Sequence, residues 1–280
     1  MWTRSASPTK NPDPWDCGDY DDTTHWPMGQ DFVLVSENDG IYTYLAEFTP
    51  GMVWDPTWIG KRHLVMGLWE TLSYVTDKLP DNLSLKVIGN AANSYVFNSN
   101  QEVLDFDVLL YKRVNSDQEI SLFNLEGIMT SVARGLSDES AFVRNRAVSW
   151  TKSGFDGSYV IEWTCKGLPR PVQIRILPHN GTLKEYMTAC QWGEDSIALA
   201  IKELPPKGNL YFMSTLKVDA LLHGQWLHLT DAHEPDPSVT ISAGMELCKL
   251  SGKRIHMDDF NTLVGLVGLQ HDEGLEFIGT

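Results

Sequence analysis

The stretch that most constrains this chain is EVLDFDVLLYK, residues 102–112. Side chains alternate across a β-strand, so residues two apart share a face. Leu104, Phe106 and Val108 therefore point one way, into a core, while Asp105 and Asp107 project together on the other side. Two like charges held side by side repel each other unless a cation sits between them. A divalent metal ion removes the conflict. Mg²⁺ prefers oxygen ligands, keeps several waters, and takes one or two carboxylates together with substrate phosphates. The pair reads as a metal platform for phosphate chemistry.

Just upstream stands VIGNAANSYVF, residues 87–97. A strand ends at Ile88, and Gly89 lets backbone approach a ligand closely. Asn90 follows, and the backbone N–H groups that open the next helix suit a triphosphate. Alone, this turn is a weak signal. A strand, a glycine turn, a short helix and then D-x-D on a neighbouring strand is a more specific arrangement.

That order resembles the nucleotidyltransferase superfamily of the DNA polymerase β kind, whose mark is a glycine turn followed by a strand h-D-h-D-h, with h an apolar residue. Gly89 matches the family glycine, and Asp105 and Asp107 match its paired metal-binding aspartates. Asn90 stands in place of the usual serine. A later family strand, h-D-h-R-h-h-P, carries a third carboxylate. VQIRILP at residues 172–178 fits it through Arg175 and Pro178, but Gln173 occupies the aspartate position. Glu162 on the preceding strand is a substitute if the hairpin register brings it to the same face. The match spans residues 57–200.

The resemblance implies an α+β fold: a mixed or antiparallel sheet in a nucleotidyltransferase-like core, helices packed on it and a helical C-terminal part. It implies Mg²⁺ or Mn²⁺ as cofactor, with Asp105 and Asp107 as catalytic and metal-binding residues. Gly89, Asn90 and Lys253 are the expected nucleotide-binding residues. An NTP is the expected donor, attacked in line at its α-phosphate. The acceptor is open among an RNA end, a protein side chain and a small molecule. Gln173 keeps a second reading in view, a catalytically impaired scaffold that binds a nucleotide or a protein. A third is a GT-A-like glycosyltransferase, in which D-x-D holds Mn²⁺ against a nucleotide-sugar, although residues 1–56 show no βαβ unit.

The rest of the chain sets the frame. Its 280 residues suffice for one large domain or two small ones, with 42% apolar residues. Residues 1–30 read as an extended arm, 31–206 as the core and 207–280 as the helical region. DFVLVSE-NDG-IYTYLAEFT reads as a hairpin. Residues 57–79 and SDQEISLFNLEGIMTSVARGL read as amphipathic helices, and SYVIEWTCKG with PVQIRILP as an antiparallel hairpin. HEPDPS reads as a loop between helices.

The net charge of −15 argues against a long nucleic-acid duplex as partner, because such binding rests on Lys and Arg contacts to phosphates. No run of 18 apolar residues suggests a membrane span. The start of the chain lacks the apolar centre of a secretory signal. Cys17, Cys165, Cys190 and Cys248 are scattered without zinc spacing, which suits reduced thiols and an intracellular, cytoplasmic protein.

Other groups carry weaker functional readings. His223, His228 and His233 recur at five-residue steps, which do not share a helix face, so a polar surface is favoured over a metal site. Lys249 and Arg254 beside Lys253, Lys112 with Arg113, and Arg134, Arg144 and Arg146 are candidate phosphate contacts weighed against solvated surface. Trp163 and Trp192 are candidate base-stacking rings weighed against core. No G-x-S-x-G or Walker A motif is present.

Overall fold

The computed structural model describes residues 32–46, 62–97, 103–113, 122–138, 146–154, 156–165, 170–201, 210–231 and 236–276. The expected N-terminal arm, 1–30, lies outside them. The first described element is a hairpin of β1 (Phe32–Asn38) and β2 (Ile41–Ala46). Asp39 and Gly40 make its two-residue turn, with φ 52° and 79°. Both residues are left-handed, as the tight turn that matches strand twist requires. β1 is an edge strand, and its register slips between Leu34 and Ser36. Such a bulge breaks the regular edge that would otherwise pair with another chain.

Next come α1 (Arg62–Lys78), β3 (Leu83–Ile88), α2 (Gly89–Val96), β4 (Asp105–Lys112) and α3 (Leu122–Asp138). Three more strands follow: β5 (Arg146–Lys152), β6 (Tyr159–Cys165) and β7 (Val172–Thr182). After β7 the chain forms α4 (Leu183–Thr188), β8 (Ala198–Ile201) and β9 (Leu210–Ser214). It ends in α5 (Val218–His223), α6 (Pro237–Ser251) and α7 (Met257–Glu276). This is the expected α+β class.

The strands form a nine-stranded sheet in the order β1-β2-β9-β8-β3-β4-β7-β6-β5. β4 and β7 are parallel, and the other described pairs are antiparallel. Alternation gives the sheet two unlike faces. Phe106, Val108 and Leu110 of β4 lie beside Ile174 and Ile176 of β7 and Ile161 and Trp163 of β6, all buried. These side chains pack against Leu68 and Val75 of α1 and against Leu125, Met129, Val132 and Leu136 of α3. The α3 set steps by three and four residues, which puts it on one helix face. Truncating one of these side chains to alanine costs about 2–5 kcal/mol.

The opposite face is covered only in part. There Ile88, Leu109, Tyr111, Met187 and Ala198 form a smaller core beneath α4. Thr182 caps α4 reciprocally with Glu185, which fixes where that cover begins. The first residues of β4 extend beyond it. A third cluster, Trp192, Leu227, Leu247 and Leu263, seats the C-terminal helices.

Two strands depart from the expected layout. The 207–280 region was expected to be helical, yet β9 within it pairs with β8 and β2 inside the sheet. Its sequence, LYFMS, is short and aromatic, which suits a pleated surface. β5, Arg146–Lys152, is a strand that the sequence reading did not propose. Val148 and Trp150 of RAVSWTK pack on the main core while Ser149 and Thr151 alternate with them. Within the expected HEPDPS loop, Asp236 accepts hydrogen bonds from Ser238 N and Val239 N and caps α6, with Pro237 at its first turn.

Candidate functional site

Asp105 and Asp107 lie on the partly uncovered face, at the start of β4. Asp105 is exposed and Asp107 half-buried. The register extends their rows across the sheet. Asp105 pairs with Gln173 on β7, Gln173 with Glu162 on β6, and Glu162 with Ser149 on β5. In the next row Asp107 pairs with Arg175, and Arg175 with Val160. The hairpin register therefore does bring Glu162 to the face of the aspartates.

Each aspartate is gripped by one arginine. Arg170 Nη1 donates to both oxygens of Asp105, at 2.9 Å each. Arg175 donates from Nε to Asp107 Oδ1 at 2.8 Å and from Nη2 to Asp107 Oδ2 at 3.0 Å. The planar Arg175 guanidinium matches its carboxylate with two parallel bonds, while Arg170 shares one nitrogen between both oxygens. The two cations supply the compensating charge that the aspartate pair demands. Gln173 Nε2 donates to Glu162 Oε2 at 2.9 Å. The Gln173 amide is thus oriented by a carboxylate one strand away.

Gly89 begins α2 directly opposite this pair. Its φ of 64° is left-handed, and a Cβ built on it would stand 3.4 Å from Asp107 Oδ2. Glycine serves here for conformation, and an added methyl would occupy the space beside Asp107. Asn90 is the next residue of α2. The first amides of a helix lack partners within it, and the turn brings those donors alongside Asp107.

Behind α2 lies a group that the sequence did not single out. Asn93 Nδ2 donates to Asp195 Oδ1 at 3.1 Å. Asp195 is half-buried as a residue, but its carboxyl is enclosed. Burial pushes that carboxyl above its ordinary value; the Asn93 hydrogen bond opposes this, and the charge of Asp107 adds to it. Cys190 is close by, and burial pushes its thiol up to about 12, so it is no thiolate nucleophile at neutral pH.

The remaining candidates fall elsewhere. Lys253 is buried, and its ammonium donates to Glu194 Oε1 at 2.6 Å and to the carbonyl of Ala220 at 2.7 Å. It serves as a buried structural cation there, away from the Gly89 turn. His228 Nδ1 meets the same carboxylate at 2.8 Å, His223 is exposed at the end of α5, and His233 lies outside the described residues. Lys249 pairs with Glu246. Lys112 is buried, Arg134 is an exposed residue of α3, and Arg144 lies outside the described residues. Trp163 and Trp192 are wholly buried core residues, so neither presents a ring for stacking.

The donor set tests what cation would suit the site. Among the described residues no group of three or more His, Cys, Asp or Glu side chains is arranged to hold a metal ion. Two carboxylates beside a glycine turn are a donor set that suits Mg²⁺ or Mn²⁺ completed by other oxygen ligands, and not a closed protein cage.

No family model matches the sequence, and no curated protein matches it. Solved structures do. An apo CCA-adding enzyme is 15% identical with TM-score 0.50, covering 74% of this chain and 44% of that one. A CCA-adding enzyme with ATP is 14% identical with TM-score 0.49, covering 75% and 44%. The Thermotoga maritima CCA-adding enzyme with tRNA is 15% identical with TM-score 0.47, covering 71% and 41%. CCA-adding enzymes are nucleotidyltransferases of the polymerase β-like superfamily. The apo likeness supports the same fold for the core, and the chain spans less than half the length of the proteins that it matches. Among the described residues no helix is long and apolar enough to cross a membrane.

Proposed function

We propose that this chain is a metal-dependent nucleotidyltransferase that moves a nucleoside monophosphate from an NTP to an acceptor hydroxyl. One observation carries the reading. Asp105 and Asp107 share an open sheet face, and the left-handed Gly89 starts α2 beside them, so that a Cβ added at Gly89 would stand 3.4 Å from Asp107 Oδ2. The site would thus combine two carboxylates with the first backbone amides of a helix, which suits a cation–triphosphate pair.

Asp105 and Asp107 would hold Mg²⁺ or Mn²⁺, and Gly89 and Asn90 would meet the phosphates. When bound, the cation would neutralise the triphosphate and polarise the α-phosphate. Cation binding requires Arg170 and Arg175 to yield the carboxylate oxygens that they now hold. The acceptor oxygen forms a bond to the α-phosphorus, the α–β bridging bond breaks and pyrophosphate leaves. The hydroxyl proton must go to a base, and Glu162, linked through Gln173 to the Asp105 row, is the carboxylate placed to assist. Catalysis here would be positioning and charge neutralisation. Lys253 is assigned to the fold and not to the phosphates, because its ammonium is enclosed with Glu194.

A second reading, a nucleotide- or protein-binding scaffold without turnover, is favoured by Gln173 and by the two arginines that hold the aspartates. Pyrophosphate release from each of the four NTPs with Mg²⁺ or Mn²⁺ separates the two. Release in wild type that is lost in Asp105→Ala/Asp107→Ala supports the enzyme. Nucleotide binding with no release in wild type, but release in Gln173→Asp, supports the scaffold.

A further inference from the structure

The short 3-10 turn Gly193–Asp195 carries two adjacent carboxylates that face different parts of the molecule. Glu194 faces the C-terminal segment. Its side chain is wholly buried and accepts from Lys253 Nζ at 2.6 Å, His228 N at 2.9 Å and His228 Nδ1 at 2.8 Å. Asp195 faces the nucleotide turn, through Asn93 on α2. Asn93 lies one helical turn beyond Gly89, so whatever fixes Asn93 also fixes the amides that open α2. Among the described residues Asn93 Oδ1 is buried with no hydrogen-bond partner, and Asp195 is the anchor shown for that side chain.

The turn itself has little freedom. Gly193 N donates to His228 O at 2.8 Å, and Ser196 Oγ donates to Gly193 O at 2.6 Å. Before it, Trp192 Nε1 donates to Thr240 O of α6 at 2.8 Å. α6 lies so close that a Cβ at Gly244 would come within 2.7 Å of the Trp192 ring. A shift of Glu194 therefore displaces Asp195.

We infer that Asp195 is a positioning residue for the Gly89–Asn90 turn, and that the buried Lys253–Glu194 pair sets it, so that seating of the C-terminal segment governs the order of α2. Lys253 thereby acts on the nucleotide turn without touching it. A buried ion pair loses most when one partner alone is removed, because the other charge is left stranded. The effect on α2 should thus be large for single variants and small when both charges go. The functional consequence rests on the proposed nucleotide reading; the mechanical coupling does not.

Amide hydrogen exchange on the whole chain tests the coupling without any ligand. Lys253→Met and Asp195→Ala are each expected to speed exchange in the second half of α2 at least tenfold, with β6 and β7 amides within twofold of wild type. Lys253→Met/Glu194→Gln and Asp195→Asn, which keeps an acceptor for Asn93, should restore α2 to within about threefold. Unchanged α2 exchange in both single variants overturns the inference. So does equal acceleration throughout the sheet, since that marks Lys253 as a general stabiliser only.

Titration with ATP, CTP, GTP and UTP in Mg²⁺ separates this from the function. Selective loosening of α2 in a protein that binds none of the four would support the coupling and defeat the nucleotide reading. Tight binding without the coupling would do the reverse. With both intact, Asp195→Ala is expected to weaken the bound nucleotide at least tenfold.

Discussion

Replacing Gly89 with alanine tests the nucleotide turn most sharply, because a matched control exists in the same chain. Gly89 has φ 64° and a Cβ there would meet Asp107 Oδ2 at 3.4 Å. Gly40 has φ 79° with nothing within 4 Å of its added Cβ. Both alanines incur a left-handed penalty of about 1–2 kcal/mol. The smaller entropy of the unfolded chain returns about 0.4–1 kcal/mol. The net loss is about 1 kcal/mol, or a Tm drop of roughly 2–4 °C for a chain of this size. Gly89→Ala also sets a methyl group in van der Waals contact with Asp107 Oδ2, where the cation and phosphates are proposed to sit. Thermal unfolding followed by circular dichroism should show both drops, that of Gly89→Ala at least as large as that of Gly40→Ala. Nucleotide titration in Mg²⁺ should show about tenfold weaker binding, ~1.4 kcal/mol, for Gly89→Ala alone. Wild-type affinity in Gly89→Ala, or equal affinity loss in Gly40→Ala, would refute the reasoning.

Other predictions follow from single contacts. Gln173→Asp places a second carboxylate against Glu162, so the variant should be less stable than wild type without metal and should gain more Tm on adding Mn²⁺; an identical metal response in both proteins would count against a cation at this face. Asp195 has a raised folded pKa, so between its unfolded value and that raised value the native state binds the extra proton and stability falls as pH rises. Asp195→Asn should therefore raise Tm at pH 7, with the gain shrinking as pH falls toward 4; a gain independent of pH would contradict this. Asp156 is the opposite case: hydrogen bonds from Ser158 lower its carboxyl to about 2, so its contribution is present above pH 4 and lost as pH falls through about 2. Asp156→Asn should flatten that acid limb of the Tm curve, and an unaltered limb would count against the assignment.

The sequence made the centre of this fold legible because several local signals agreed there. In IGN, then VLDFDVLL, the glycine, the alternation and the acidic pair all point to one strand–turn–helix–strand unit, and β3, α2 and β4 follow that plan. The NDG turn was equally readable, since its residues supply the positive φ that a two-residue hairpin needs. β5 and β9 were missed because β5 follows serine-rich sequence and the five-residue β9 follows a proline-rich breaker. Their strand character depends on neighbours already in the sheet.

The long-range pairings left no local trace. Arg170 reaches Asp105 across 65 residues, and Asn93 reaches Asp195 across 102. Lys253 read as a nucleotide-binding cation in a run of basic residues, yet its ammonium is enclosed with Glu194, 59 residues earlier. The one usable hint was the adjacency of Glu194 and Asp195 just after a tryptophan, a pattern too common to weigh alone. Register was similar: Glu162 could face Gln173 or avoid it, and a one-residue slip would have reversed the outcome.

The central claim is that Asp105 and Asp107 hold a divalent cation together with a nucleotide. Isothermal titration of each NTP, with Mg²⁺ and then with excess chelator, tests it directly in wild type and in Asp105→Asn/Asp107→Asn. The account predicts binding of at least one NTP to wild type that weakens at least tenfold on chelation and is lost in the double variant. Binding that is indifferent to both the cation and the two aspartates would contradict it.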